Sequence, residues 1–190
     1  RHITALSEKN VHNYLNFLGA GAYQHFIPAI VNHLIFRSEF YTAYTPYQAE
    51  MSQGILQSLY EYQTMICELT GMDVSNASVY DGSSALAESC IMAVNIKKKN
   101  EILISKAVHP EYREVVKTYA HFHGIVIKES SYEEGLSSIA DIQSHITENT
   151  AGIIVQTPNF FGCIEDIEEI SKVANEFSVL LIVNRYCLQG

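Results

Sequence analysis

Four groups in the 190-residue sequence have residue types and spacings suited to chemistry. Asp81-Gly82-Ser83-Ser84 follows a partly β-branched segment and opens a helical apolar pattern. A helix starting there turns free N–H groups and its positive end outward beside two hydroxyls, which suits a phosphate or another anion. The same residues suit an ordinary helix cap, because Asp and Ser are both favoured there. His109 follows a strand pattern and precedes Pro110, so its imidazole can stack on a ligand ring or shuttle a proton; it is the catalytic candidate. Asn159 sits between Pro158 and the pair Phe160-Phe161, where its amide suits a ligand and the rings suit a core edge. The fourth group is Tyr41-Thr42-Ala43-Tyr44-Thr45-Pro46-Tyr47-Gln48-Ala49-Glu50-Met51-Ser52-Gln53-Gly54, too polar for a core strand and too aromatic for an ordinary solvated loop.

Other chemistries are disfavoured. A Schiff-base enzyme needs a buried lysine of depressed pKa. Lys97 to Lys99, Lys106, Lys117, Lys128 and Lys172 all fall on helices, helix ends or strand ends with polar neighbours, so this chain is not expected to form that bond itself. The histidines lack ligand spacing, and Cys67, Cys90, Cys163 and Cys187 form no CxxC pair, so no metal site is expected. The cysteines read as reduced thiols of a cytoplasmic protein. A formal charge of −9 disfavours nucleic acid, whose phosphates demand clustered Lys and Arg. No apolar run reaches the ~18–20 residues of a membrane span, and Arg1 to Asn10 lacks the apolar stretch of a secretory signal. The first residue is not Met and little chain follows the last strand pattern, so a piece of a longer protein is expected.

These groups need elements to hold them. With 47% apolar and 17% charged residues the chain can bury a core. A short amphipathic helix is expected from Ser7 to Phe17, ending at the turn Gly19-Ala20-Gly21-Ala22, and a second with Pro28 in its first turn. Apolar residues at three- and four-residue steps between Met51 and Leu69 predict a longer helix, stopped at Gly71. Ala77 to Tyr80 reads as a strand or extended segment leading into the helix after Asp81. A regular alternation follows: strands 101–105, 124–128, 151–156 and 179–184, with helices 110–121, 139–147 and 167–177 between them. Runs such as Ile102-Leu103-Ile104 and Gly152-Ile153-Ile154-Val155 do not alternate with polar residues, as strands covered on both faces do not. The pattern predicts a predominantly parallel α/β sheet with helices on both faces, residues 72–190, after an N-terminal helical segment, residues 1–71, that carries the tyrosine-rich loop. Ligands bind beyond the carboxyl ends of such strands, which selects Asp81–Ser84, Ala107–His109 and Thr157–Phe161 as one rim.

The sequence resembles a known family. Phe40 to Gln48 with Glu50, Ser52, Gln53 and Gly54, then Tyr62-Gln63-Thr64-Met65 and Leu69-Thr70-Gly71, resemble the P-protein of the glycine cleavage system, glycine dehydrogenase (decarboxylating). Leu18 to Tyr23, Phe26-Ile27-Pro28, Tyr80-Asp81-Gly82, Val108 to Arg113, and Pro158 to Gly162 with Glu165-Asp166 are similar to its subunit 1, the amino-terminal half where the enzyme is split. The resemblance covers essentially the whole chain. It implies a fold-type-I transferase-like large domain that uses pyridoxal phosphate in an assembled enzyme, with the Schiff-base lysine on a subunit 2. It also implies glycine as substrate, decarboxylation, and passage of the aminomethyl group to the lipoyl arm of the H-protein. Asp81 to Ser84 and His109 then lie where such a fold holds the phosphate and covers the ring, in a copy that is degenerate in subunit 1. Tyr41, Tyr44, Tyr47, Gln48 and Glu50 become one wall of an active-site channel or subunit interface. One departure stands out: the segment expected to supply an acid to the pyridine nitrogen reads Val183-Asn184-Arg185-Tyr186-Cys187-Leu188, with Tyr186 nearest the place. A non-catalytic assembly subunit and another fold-type-I enzyme remain as alternatives.

Overall fold

The computed structural model describes residues 1–10, 26–42 and 44–185, and the chain divides into two units, Arg1–Met65 and Ile66–Gly190. In the first unit α1 (His2–Ser7) is followed by α2 (Ala29–Ile35), α3 (Ser38–Tyr41), a 3-10 turn (Ala49–Met51) and most of α4 (Gln53–Thr70). Ser7, where a helix was expected to begin, instead closes α1, the Glu8 amide donating back to the Thr4 and Leu6 carbonyls. The rest of that expected helix, the Gly19-Ala20-Gly21-Ala22 turn and Tyr186 lie outside the described residues. Pro28 stands just ahead of α2 rather than inside it, a position where its missing N–H costs no helical bond. Along α4, Ile55, Leu56, Leu59, Ile66 and Cys67 are half-buried, whereas Tyr62, Met65 and Leu69 of the predicted face are exposed. Gly71, at φ +72, donates to the Cys67 carbonyl 2.8 Å away and ends the helix.

The second unit is the α/β body. α5 (Gly82–Lys97), β1 (Glu101–Ser105), α6 (Pro110–His123) and β2 (Val126–Ser130) are followed by a small hairpin, β3 (Tyr132–Glu133) and β4 (Leu136–Ser137). Then come α7 (Ile139–His145), β5 (Thr150–Thr157), α8 (Ile167–Glu176) and β6 (Leu180–Arg185). The main sheet has the order β2-β1-β5-β6 and every pairing in it is parallel. Successive side chains of a strand point to opposite faces, and both faces are covered here. Ile102, Ile104 and Ile154 pack with α5 and α6 residues such as Leu86, Cys90 and Val116. Leu103, Ile153 and Val155 pack with Ile142 of α7 and Ile170 and Val173 of α8. That two-sided burial is why the strand sequences are continuously apolar.

Local details differ from expectation. Of the two forms expected for Ala77–Tyr80, strand or extended segment, the strand does not form: it pairs with no strand among the described residues, with Ser78 at φ 121 and Tyr80 almost wholly exposed. β2 starts at Val126, not Gly124, because Gly124 adopts φ 64 and caps α6, its amide reaching the Ala120 and His121 carbonyls. The β3–β4 hairpin was not foreseen. Its two-residue turn, Glu134-Gly135, has φ of 51 and 82, which suits the twist of a tight hairpin.

Candidate functional site

From β1 the chain crosses through α6 to β2 on one side, then returns through α7 to β5 on the other. Right-handed crossovers in opposite directions put α6 and α7 on opposite faces, which makes the carboxyl ends of β1 and β5 the switch point of the sheet, the place where ligands of such folds bind. The expected rim segments Ala107–His109 and Thr157–Phe161 flank this switch point. They are joined directly: the Phe160 amide donates to the Ala107 carbonyl at 2.9 Å.

His109 is half-buried and caps α6, its Nδ1 accepting the Glu111 amide at 3.2 Å. An accepting Nδ1 leaves the proton of a neutral ring on Nε2. Its backbone amide donates to Gln156 Oε1 at 2.9 Å, and Gln156 Nε2 donates to the Pro158 carbonyl at 3.1 Å. Thus the buried Gln156, at the carboxyl end of β5, ties the His109 loop to the Pro158 loop. The imidazole has Phe160 edge-on at 5.2 Å and Tyr112 tilted at 5.1 Å between ring centroids. Phe160 continues to Phe161 at 5.6 Å, and Phe161 to Tyr132 at 4.6 Å, so five rings form a row along the rim.

Asn159 lies under that row, only 4% exposed. Its Nδ2 donates to the Gly135 carbonyl and to Glu165 Oε1, both at 2.7 Å. Its Oδ1 accepts the amides of Phe161 at 3.0 Å and Cys163 at 3.1 Å. The hydrogen-bonding capacity of this amide is therefore filled from within the chain, and the rings beside it, not Asn159, face outward.

The structure brings Asp81–Ser84 to the same rim through Tyr112. A Cβ at Gly82 would stand 2.9 Å from the Tyr112 hydroxyl and 3.3 Å from its ring, so the ring lies directly over the start of α5. Two of the donors at that helix end already have an acceptor. Asp81 Oδ1 takes the Ser84 amide at 2.7 Å and the Ser83 hydroxyl at 2.8 Å. These bonds, the Ser84 amide foremost, hold the Asp81 carboxyl below its ordinary range. A second anion here would meet that carboxylate and find these two donors spent.

The tyrosine-rich stretch belongs to the first unit. Tyr41, Tyr44 and Tyr47 are all strongly exposed, the last two at about 80%, with the Tyr44 and Tyr47 rings 6.0 Å apart. Gln48 caps the 3-10 turn and Glu50 lies exposed in its first turn. Just beyond them, Glu39, Phe40, Met51, Ser52, Gly54, Ile55 and Ser58 line an open hollow of about 280 Å³.

No described lysine is fully buried. Lys128 pairs with Glu101 at 2.7 Å, and Lys117 with Glu114 at 2.9 Å and Glu129 at 3.0 Å. Lys106 and Lys172 are exposed. Among the described residues no group of three or more His, Cys, Asp or Glu could hold a metal ion, and no helix is long and apolar enough to cross a membrane. Gln156, Tyr112 and Glu165 are the rim-building residues that sequence reasoning gave no role. Tyr112 and Glu165 enter the sequence reading only inside the family motifs Val108 to Arg113 and Glu165-Asp166, and in the structure Asp166 caps α8 by accepting the Glu169 amide.

Comparison with known proteins bears on the whole chain. The family model described as glycine cleavage system P-protein matches residues 1–188. A probable glycine dehydrogenase (decarboxylating) subunit 1 of Desulforamulus reducens is 55% identical over 184 residues, 96% of this chain and 41% of that one. The protein of the same description from Carboxydothermus hydrogenoformans is 53% identical over 185 residues, 96% of this chain and 42% of that one. A crystal structure of glycine decarboxylase (P-protein) of the glycine cleavage system, in inhibitor-bound form, superposes with a TM-score of 0.84 at 38% identity, covering 96% of this chain and 41% of that one. The chain thus spans about two-fifths of the length of these relatives. The parallel sheet with helices on both faces is accordingly the expected fold-type-I transferase-like architecture.

Proposed function

The chain belongs to the glycine cleavage system P-protein family, and on that premise we propose that it works as part of subunit 1 of a split glycine decarboxylase. The observation that carries this reading is the agreement over nearly the whole chain with relatives described as that subunit. In the assembled enzyme, glycine is decarboxylated and its aminomethyl group passes to the lipoyl arm of the H-protein, with a second subunit required. Pyridoxal phosphate, when bound in that assembly, supplies the electron sink for breaking the carboxyl bond.

The residues of this chain do not fit covalent attachment of that group. The described lysines are exposed or half-buried, and the acid at the start of α5 occupies donors a phosphate would need. The Schiff-base lysine is placed on subunit 2, as the resemblance to the split enzyme implies, and Asp81, Gly82, Ser83 and Ser84 are read as the vestige of a phosphate cradle closed by its own carboxylate. His109 is the residue of this rim with a ring nitrogen left for a neighbour, its Nε2, and Asn159 serves by fixing the loop that carries Phe160. Tyr41, Tyr44, Tyr47, Gln48 and Glu50 form a wall shared with the second subunit, a role suited to large side chains exposed here. Residues 1–71 act as the N-terminal helical segment and residues 72–190 as part of the large domain. The reduced state of Cys67, Cys90 and Cys163 suits the cytoplasm.

A second reading, a purely structural assembly subunit, is favoured by the closed α5 terminus. One experiment separates the two. The full-length chain, subunit 2 and lipoylated H-protein are combined and CO2 release from glycine is measured, with Tyr44→Phe and Tyr47→Phe variants in parallel. Release is expected only with both subunits and to fall in the variants. Unchanged rates in both tyrosine variants remove their polar role, and release from subunit 2 without this chain defeats the main reading.

A further inference from the structure

We propose that Glu165 is a positioning residue whose buried carboxyl clamps the Asn159–Cys163 loop and thereby holds Phe160 against His109. The inference rests on the reading of His109 as a site residue. Glu165 is 5% exposed, and among the described residues no lysine, arginine or histidine pairs with it. A buried carboxyl is costly unless its oxygens are well supplied with donors. Three groups supply them. Ser137 gives its hydroxyl at 2.9 Å and its amide at 3.1 Å, and Asn159 gives Nδ2 at 2.7 Å. Because the Ser137 hydroxyl donates to Glu165, it accepts from Ser105 Oγ at 2.6 Å, and Ser105 Oγ in turn accepts the Ala107 amide at 3.1 Å.

One carboxyl thus joins three segments that are distant in sequence: the end of β1, the β3–β4 hairpin and the loop after β5. What it holds is unusually well defined. Every amide from Asn159 to Cys163 has an acceptor: Cys163 O for Asn159, Ala107 O for Phe160, Asn159 Oδ1 for Phe161 and Cys163, and Asn159 O for Gly162. Asn159 is the centre of this set, and Glu165 Oε1 fixes its amide orientation by accepting from Nδ2. With the amide turned this way, Oδ1 faces the loop amides and the Phe160 ring is delivered to the His109 edge. An apolar side chain in this place would leave the Ser137 amide and hydroxyl and the Asn159 Nδ2 without their acceptor. Here its acceptors match a particular loop geometry.

The test uses full-length protein assembled with its partner subunit. Amide hydrogen exchange and diethyl pyrocarbonate modification of His109 are followed by mass spectrometry in Glu165→Ala, Glu165→Gln and Ser137→Ala. In Glu165→Ala, exchange over 159–163 is expected to rise about tenfold or more, with faster His109 modification, while Ile102–Ile104 and Ile153–Val155 keep their rates. Glu165→Gln, which retains an acceptor oxygen, is expected to restore most of the protection. Ser137→Ala, the milder change, is expected to loosen the same loop less and keeps the test open should Glu165→Ala fail to fold. Unchanged exchange over 159–163 in the alanine variants, or an equal rise in all strands, overturns the clamp. If the loop loosens as expected while glycine–bicarbonate exchange keeps its kcat and KM, the clamp stands and the assignment of His109 to the reaction falls.

Discussion

Replacing Gly82 by alanine probes the rim most directly, because the added atom reports on one ring. Gly82 is the first residue of α5 and has no positive φ, so alanine meets no backbone strain and gains helix propensity, about 0.5–1 kcal/mol in a helix interior. Against this, the new Cβ would stand 2.9 Å from the Tyr112 hydroxyl and 3.3 and 3.4 Å from two ring carbons. The first distance is untenable, so Tyr112 must move, and its ring packs against His109 at 5.1 Å between centroids. Overpacking of this kind costs about 1–3 kcal/mol. The net expectation is a loss of about 1 kcal/mol, a fall in Tm of roughly 2–4 °C for a chain of this size. Tyr112→Phe removes the atom in closest conflict and leaves contacts that a few tenths of an ångström relieve. Urea denaturation of the wild type, both single variants and the double variant then gives a coupling energy. Gly82→Ala is expected to cost about 1 kcal/mol less in the Tyr112→Phe background. Equal cost in both backgrounds, or a gain in stability from Gly82→Ala alone, refutes the placement of the ring over the helix start.

Further outcomes are expected elsewhere. Burial pulls the Glu101 carboxyl upward, but Lys128, Thr150 and Thr147 outweigh it and the net direction is below the usual 4.5. Its stabilising share is therefore complete above about pH 4.5 and is lost as pH falls through the depressed value. Lys128→Met leaves the buried Glu101 carboxylate with only its threonine donors, at a cost of about 1–3 kcal/mol, and its acid-unfolding midpoint, read by circular dichroism, is expected at higher pH than that of the wild type. Asp81→Ala is expected to lower Tm in chloride buffer and to regain part of the loss on adding inorganic phosphate, whereas the wild type gains nothing comparable; equal gains in both would show that Asp81 does not occupy an anion position. The Cys90 thiol, pushed up to about 12 by burial, is expected to react with a thiol reagent at pH 8 only on unfolding, while Cys67 and Cys163 react in the native protein, as peptide mass spectrometry after labelling will read.

Strand and helix order in the second unit could be read from the sequence because both faces of the sheet are buried. Ile102-Leu103-Ile104 and Ile153-Ile154-Val155 have no polar alternative at any step, so their pattern admits few other structures. Boundaries were less legible where a glycine decided them. Gly124 belongs to the α6 cap by its positive φ, and composition alone assigned it to β2. The β3–β4 hairpin escaped because strands of two residues carry no periodicity, although Glu134-Gly135 is a compatible turn pair. At the first helix, a serine that could begin a helix in fact ends one. Local propensity does not distinguish these roles when the flanking bonds are unknown.

The candidate site divides along the same physical line. Asp81, His109 and the Pro158 loop could be picked out because the topology of a parallel sheet sends all post-strand loops to one rim, whatever their sequence. At Asn159 the sequence leaves two uses of an amide open, facing a ligand or bonding its own loop, and the side chain makes four bonds within the chain. Gln156 and Glu165 act across 47 and 28 residues of sequence, toward His109 and Ser137. No short-range pattern encodes such pairings, because they arise only when β1 and β5 lie side by side. A rim of this kind is specified twice. Its location follows from strand order and its shape from buried polar groups, so substitutions at Gln156 or Glu165 should alter the geometry of His109 and Phe160 while leaving the sheet that places them intact.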